Sequence, residues 1–205
     1  MPKWTDAPQG SDQWLLHRVG KLTGSRMADA MAFLKSGAET EARRKLKLQI
    51  LAERLTGRMT ETYQTEAMKW GIEQEPFAKA HYEETTGELI TNCGFALHDT
   101  LDGWGASPDG LLGKMGLIEI KSPATTTHLD YFTTGVVPEK YKPQMLCQLA
   151  VTERRWCQFM SFDPRLPEEW RSFVVRYEPS EEELSAVKDH AERFLTEVEA
   201  MRNIR

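Results

Sequence analysis

Between Ser107 and Pro123 the chain reads SPDGLLGKMGLIEIKSP, which sets two carboxylates, Asp109 and Glu119, and an amine, Lys121, in one short segment. The residues GKMG, Gly113 to Gly116, form a turn between two apolar runs, so a β-hairpin is expected. With the turn centred between Lys114 and Met115, the register brings Asp109 to within about one residue of Glu119 across the ladder. Side chains alternate along a strand, so Glu119 and Lys121 share one face and Ile118 and Ile120 the other. Two carboxylates this close repel unless a cation sits between them, and hard oxygen donors of this kind suit Mg²⁺ or Mn²⁺. A metal held there would lower the pKa of its water and neutralise charge on a phosphoryl group, while Lys121 holds the nucleophile or the developing oxyanion. Phosphodiester hydrolysis needs that combination. E-x-K alone is usually a surface ion pair. The upstream Pro108-Asp109, the glycine-bounded turn and the β-branched flanks make the pattern far more specific.

The elements that must position these groups can be read around them. SDQWLLHRVG predicts a short helix capped by Ser11 or Asp12, and KLTGSRMADAMAFL predicts a second one after Thr23, Gly24 and Ser25. TEARRKLKLQILAERLTG predicts a third, with Leu46, Ile50, Leu51 and Leu55 on one face and Gly57 as C-cap. From Thr65 to Gly87 the pattern is again helical, with Pro76 either kinking one helix or opening another and Glu75 left at the junction. Short apolar runs punctuated by Gly, Asp and Pro predict strands over 88–98, 103–112 and 116–121. The Thr-rich ATTTHLDYFTTG that follows is expected as a loop. EKYKPQMLCQLAVTE predicts a helix, RRWCQFMSFD and RSFVVRYE two more strands, and Ser180 with Glu183 a capping box for a last amphipathic helix. Helices around a central mixed sheet make the fold α/β (α+β). The 205 residues, with no repeat or linker, are expected to form a single domain.

Composition bounds the partners. Residues 1–60 hold 11 Lys/Arg against 6 Asp/Glu, whereas residues 61–205 hold 15 against 25. A basic N-terminal third on an acidic body fits one polyanion-facing surface, although solvated helix faces, including Arg43, Arg44, Lys45 and Lys47, would give the same count. Three cysteines without C-x-x-C spacing favour buried reduced thiols over a disulfide or zinc framework. No apolar run is long enough for a membrane span and no secretory signal is recognisable, so a cytosolic protein without membrane association is expected.

With those residues in place, the segment resembles the PD-(D/E)-x-K nucleases, and the chain more closely resembles the phage lambda exonuclease or YqaJ-type viral recombinase family. Further family signatures are W-x-x-x-R-x-G-x-x-T-x-S (Trp14, Arg18, Gly20, Thr23, Ser25), W-G-x-x-x-E (Trp70, Gly71, Glu75) and Y-x-x-Q (Tyr141, Gln144). The resemblance implies a restriction-endonuclease-like core and a metal-dependent exonuclease that digests one strand of linear duplex DNA 5′-to-3′ to mononucleotides, leaving 3′ overhangs for recombination by strand annealing. It further implies a homotrimeric ring, a single-strand annealing protein as partner, phage or prophage action in the bacterial cytosol, and Mg²⁺ (Mn²⁺ serving also), two ions per site. By position, Asp109, Glu119 and the main-chain carbonyl of Ile120 would bind metal and Lys121 would serve the water. Glu75, at the metal directly or through water, and Gln144 would support the site. Arg18, Ser25 and Ser107 would bind the terminal 5′-phosphate, and helix-start N–H groups near Ser25 agree with that independently. The plain alternatives are a surface arginine and an N-cap serine. Trp14, Lys35 and Met68 are further DNA-contact candidates, Met68 at the family's strand-parting position, against ordinary core roles for Trp14 and Met68. The five histidines carry no metal spacing. Competing readings are an endonuclease of the same superfamily and a non-catalytic DNA-binding protein.

Overall fold

Hydroxyl side chains open the three longest helices, and glycines in the left-handed region close two of these. The computed structural model describes residues 1–60 and 64–203. In chain order its elements are β1 (Lys3–Trp4), α1 (Asp12–Arg18), β2 (Leu22–Thr23), a 3₁₀ turn (Gly24–Arg26), α2 (Met27–Ala30), α3 (Glu41–Thr56) and α4 (Glu66–Thr86). Then come β3 (Ile90–Thr91), β4 (Ala96–Leu97), β5 (Trp104–Ala106), β6 (Gly110–Leu112) and β7 (Gly116–Lys121). They are followed by α5 (Thr125–Thr134), α6 (Lys142–Thr152), β8 (Trp156–Phe162), β9 (Ser172–Tyr177) and α7 (Glu181–Arg202). Thr40 and Thr65 accept the N3 amides of α3 and α4, Gly57 and Gly87 end them at φ +66° and +72°, and Ser180 and Glu183 form the expected capping box of α7.

Two mixed sheets result. One has the strand order β1-β4-β5-β2, the other β3-β6-β7-β8-β9. The pairs β2–β5 and β7–β8 run parallel, the rest antiparallel. A parallel neighbour requires a crossover, and α5 with α6 supplies the one between β7 and β8. The hairpin β6–β7 has the expected register, Gly110 opposite Ile118 and Leu112 opposite Gly116, which continues to Asp109 opposite Glu119.

The strand β7 is buried on both faces, and alternation decides what each face meets. Ile118 and Ile120 enter an apolar cluster with Ala78 and Tyr82 of α4, whereas Leu117 joins the larger cluster built from α3, α6 and α7. Each such side chain fully removed from water is worth about 1.5–3 kcal/mol. Glu119 points to the α6 side, so the catalytic-type carboxylate enters a face otherwise filled by core. Among the described residues no helix is long and apolar enough to cross a membrane, and Cys147 and Cys157 are buried free thiols with Cys93 half-buried.

Five expectations are corrected. ATTTHLDYFTTG is the helix α5 rather than a loop, fixed because buried His128 lies 2.7 Å from Ser161 Oγ and 2.8 Å from the Trp170 carbonyl. The helix expected after Ser25 shrinks to a 3₁₀ turn and the four residues of α2. Leu55 is exposed, and the buried stripe of α3 is Arg43, Leu46, Ile50 and Glu53. Arg43, expected on a solvated face, is buried: it donates to the Ala30 carbonyl at 2.9 Å and pairs with Glu197 of α7 at 2.6 Å. Pro76 sits inside one continuous α4, so Glu75 belongs to a helix interior and not to a junction.

Candidate active site

Backbone and side chain cooperate at the open end of the hairpin. Asp109 Oδ2 accepts the Ile120 N–H at 2.6 Å, which ties the residue before β6 to the strand bearing Glu119 and Lys121. Glu119 has no solvent exposure, and three donors surround its carboxylate. Gln144 Nε2 reaches Oε1 at 2.6 Å and Gln148 Nε2 reaches Oε2 at 2.6 Å, one helical turn apart on α6. The Lys121 ammonium pairs with the same Oε1. A buried carboxylate needs this density of donors to remain charged.

The electrostatics follow from the crowding. Burial, reinforced by the Glu119 charge, raises the Asp109 pKa well above the usual carboxylate range, and Lys121 offsets this only in part. Burial acts to lower the Lys121 pKa, but the Glu119 and Asp109 carboxylates outweigh it and hold the amine protonated. Asp109 is therefore a desolvated oxygen donor whose negative form wants a cation, with one backbone N–H to Oδ2 as its hydrogen bond among the described residues. Those donors fit a hard divalent ion.

Two concavities meet at Asp109. A cleft of about 750 Å³ is lined by Glu75, Lys79, Asn92, Cys93 and Asp109 together with the chain from Trp4 to Gln9. A smaller pocket of about 150 Å³ is lined by Trp14, Arg18, Ser25, Ser107, Asp109, Gln144 and Gln148 among others. The candidate phosphate residues thus share one pocket with Asp109 and Gln144. Arg18 lies over the Trp14 ring at 4.2 Å and donates to Ser25 Oγ at 3.4 Å, while Trp14 Nε1 donates to Ser107 Oγ at 2.9 Å. Burial and the nearby Arg26 charge lower the Arg18 pKa to about 10, which leaves the guanidinium charged at neutral pH. Ser25 is the second residue of the 3₁₀ turn and not an N-cap, and Trp14 is a half-buried pocket wall and not a core aromatic.

The other candidates are placed differently. Glu75 lines the Asp109 cleft but forms an ion pair with Lys79 at 2.7 Å, and among the described residues no three His, Cys, Asp or Glu side chains gather closely enough to hold an ion. The structure ties Ile120 to the site through its N–H. Met68 is half-exposed on the first turn of α4, and Lys35 is exposed in the loop between α2 and α3. Sequence reasoning did not single out Gln148, although it repeats Gln144 four residues on. It also missed Gln9, whose Nε2 donates to the Pro108 carbonyl at 2.6 Å and so braces the segment carrying Asp109. Arg165 was missed too; it is bidentate to buried Asp163 at 2.7 and 2.8 Å and lies over the Trp70 ring at 4.9 Å.

No curated protein matches the chain. Among solved structures, the alkaline exonuclease LHK-Exo from Laribacter hongkongensis is 39% identical, over 93% of this chain and 94% of that chain, with a TM-score of 0.85. LHK-Exo in complex with dAMP gives 40% identity over the same shares and a TM-score of 0.85. A phage-related exonuclease from Haemophilus somnus 129PT, at 13% identity over 89% of this chain and 96% of that chain with a TM-score of 0.64, shares the fold alone. The fold is accordingly the restriction-endonuclease-like one. Residues 13–155, from Gln13 to Arg155 and so including every candidate site residue, match the YqaJ-like viral recombinase domain, and the chain belongs to that family.

Proposed function

We propose that this protein is a divalent-metal-dependent exonuclease that degrades one strand of linear duplex DNA from a 5′-phosphorylated end and releases mononucleotides. The observation that carries this reading is Asp109 lining both the carboxylate cleft and the pocket formed by Arg18, Ser25 and Ser107. A charged guanidinium and two hydroxyls beside a pair of acids suit an anion held next to the place where a phosphodiester is cut. Asp109 and Glu119, with the Ile120 carbonyl and with Glu75 in support, would hold Mg²⁺ or Mn²⁺, two ions in the proposed site. Bound there, such ions supply an acidic water and neutralise charge at phosphorus.

The residues of the chain do the rest. Arg18, Ser25 and Ser107 seat the terminal phosphate and fix the next phosphodiester beside Asp109. Lys121, kept protonated by its carboxylate neighbours, donates to the water or to the developing oxyanion. Gln144 orients Glu119. Met68 and Trp14 are the proposed contacts to the parted strand, and Lys35 to the duplex backbone. The reading extends to a single domain over residues 1–205, a homotrimeric ring around the duplex, cytosolic action and an annealing protein that receives the 3′ overhang. Sedimentation of the purified protein at the mass of three chains checks the ring.

The deciding experiment digests duplex labelled at either end, carrying 5′-phosphate or 5′-hydroxyl, beside a closed circle, in Mg²⁺ or EDTA. Mg²⁺-dependent release of the 5′ label as mononucleotide from linear DNA alone is expected. Cutting of the circle would instead make the protein an endonuclease, and binding without cutting a DNA-binding protein on a nuclease fold.

A further inference from the structure

We infer that Gln148 is a positioning residue that couples the end-binding pocket to Glu119, so that an occupied pocket raises turnover and not only affinity. The inference rests on the exonuclease reading above. Gln148 is 1% exposed, and its Nε2 lies 2.6 Å from Glu119 Oε2. The orientation of that amide is forced, because an amide oxygen facing a carboxylate oxygen at this range would set acceptor against acceptor. The same nitrogen lies 3.5 Å from the Ser107 carbonyl, at the wall of the small pocket that Gln148 itself lines. The other end of the amide, Oε1, is buried without a donor.

A buried amide with one end gripped and the other unsatisfied is uncommon, since buried acceptors are almost always paired. Lys121 and Gln144 share Oε1 of Glu119, so Gln148 is the described residues' one side-chain donor to Oε2. Its backbone is fixed within α6, and Gly24 of the 3₁₀ turn packs on it: a Cβ at that glycine would stand 3.4 Å from Gln144 Cγ and 3.7 Å from Gln148 Cγ. The turn that presents Ser25 therefore rests on the two glutamines that hold Glu119. A phosphate end drawn to Ser25 and Ser107 bears on the turn packed against both glutamines and on the segment whose Ser107 carbonyl faces Gln148 Nε2. Seating an end there fixes the Gln148 amide, and with it Glu119 Oε2, as the substrate arrives.

The test measures first-nucleotide release in single turnover, because every later end carries a 5′-phosphate whatever the first one carried. Wild type and Gln148→Met, which keeps the length of the side chain but none of its hydrogen bonds, are compared on 5′-phosphate and 5′-hydroxyl duplexes in Mg²⁺. Affinity for each end is read separately in Ca²⁺ by fluorescence anisotropy. Wild type should release the first nucleotide faster from 5′-phosphate ends at saturation, on the order of tenfold for one hydrogen-bonded link. In Gln148→Met both rates fall with the loss of the Glu119 partner, and the ratio of the 5′-phosphate to the 5′-hydroxyl rate should collapse to about one while end affinity stays within about twofold. A saturating rate ratio unchanged in the variant overturns the inference, as does a wild-type preference that lies wholly in affinity. Should Gln148→Met unfold, Gln148→Asn, which keeps the amide but withdraws it by one methylene, must show the same collapse. A wild-type protein inactive on phosphorylated ends removes the exonuclease reading itself, an outcome distinct from an active enzyme indifferent to Gln148.

Discussion

Lys121 and Arg18 are both cations near Asp109, Lys121 across the carboxylate pair and Arg18 across the small pocket, and their surroundings give them different work. Lys121 is held charged by Glu119 and Asp109, touches Glu119 directly and stands on the reacting side. Lys121→Ala is expected to lower single-turnover cleavage by about 10²-fold or more while end binding in Ca²⁺ is retained, because the lost group stabilises charge that develops only in the transition state. Arg18 stacks on Trp14 and, among the described residues, bonds to Ser25 and pairs with no carboxylate. Arg18→Ala is expected to lose about tenfold of the preference for 5′-phosphate over 5′-hydroxyl ends, measured by competition anisotropy. At this scale the sequence was informative wherever spacing sets geometry. A four-residue turn placed Asp109 within a residue of Glu119, whereas Arg18, Ser25 and Ser107 were named by the family resemblance and lie on two separate segments. Gln148 and Gln9 were not legible, because an amide acquires its meaning only from what the fold lays against it, here α6 against β7 and the N-terminal segment against Pro108.

Among the elements, a network of ion pairs joins α3 to α7. Arg43 connects the Ala30 carbonyl, Glu39 and Glu197, and Lys47 adds a second bond to Glu197 at 3.0 Å. Arg43→Ala would leave the Ala30 carbonyl without its side-chain donor while Glu39 and Glu197 keep Lys47, and a loss of about 1–3 kcal/mol in unfolding free energy from a denaturant titration is expected, with no change in the metal dependence of any residual activity. Helix boundaries were well predicted because caps are local: Thr40, Thr65, Ser180 and the glycines at 57 and 87 each announce an end by their own chemistry. Failures occurred where tertiary contact overrode composition. The Thr-rich α5 forms because His128 and Tyr131 are drawn into the core, which intrinsic propensity does not record. An arginine on an apolar stripe was read as solvent-facing although its partners lie 154 residues away on α7.

For the molecule as a whole, charge governs both stability and approach. Burial acts to raise the Glu197 pKa, but the hydrogen bonds and charges of Arg43 and Lys47 dominate and bring it from 4.5 to about 2. A carboxylate depressed in the folded state stabilises fully above its unfolded value and loses that contribution as pH falls through the folded one, so the window is roughly pH 4.5 down to 2. Glu197→Gln is expected to lower stability at pH 7 by on the order of 1–2 kcal/mol, allowing for its partial exposure, and to flatten the acid limb of a plot of Tm against pH. The basic N-terminal third implies that duplex affinity falls steeply with salt, and reversing Lys35 to Glu should reduce the slope of log affinity against log salt by about one.

Asp109 forms a common wall between the cleft and the small pocket. On the proposed function, Asp109 together with Gln9 would separate the seat of the chain terminus from the bond to be broken, a built-in ruler. The stride along DNA would then be set by the thickness of that wall and not by the rate of chemistry. Slower variants should take shorter journeys in the same single-nucleotide steps, and only a change that moves Arg18 and Ser25 relative to Asp109 should alter the length of the fragment released.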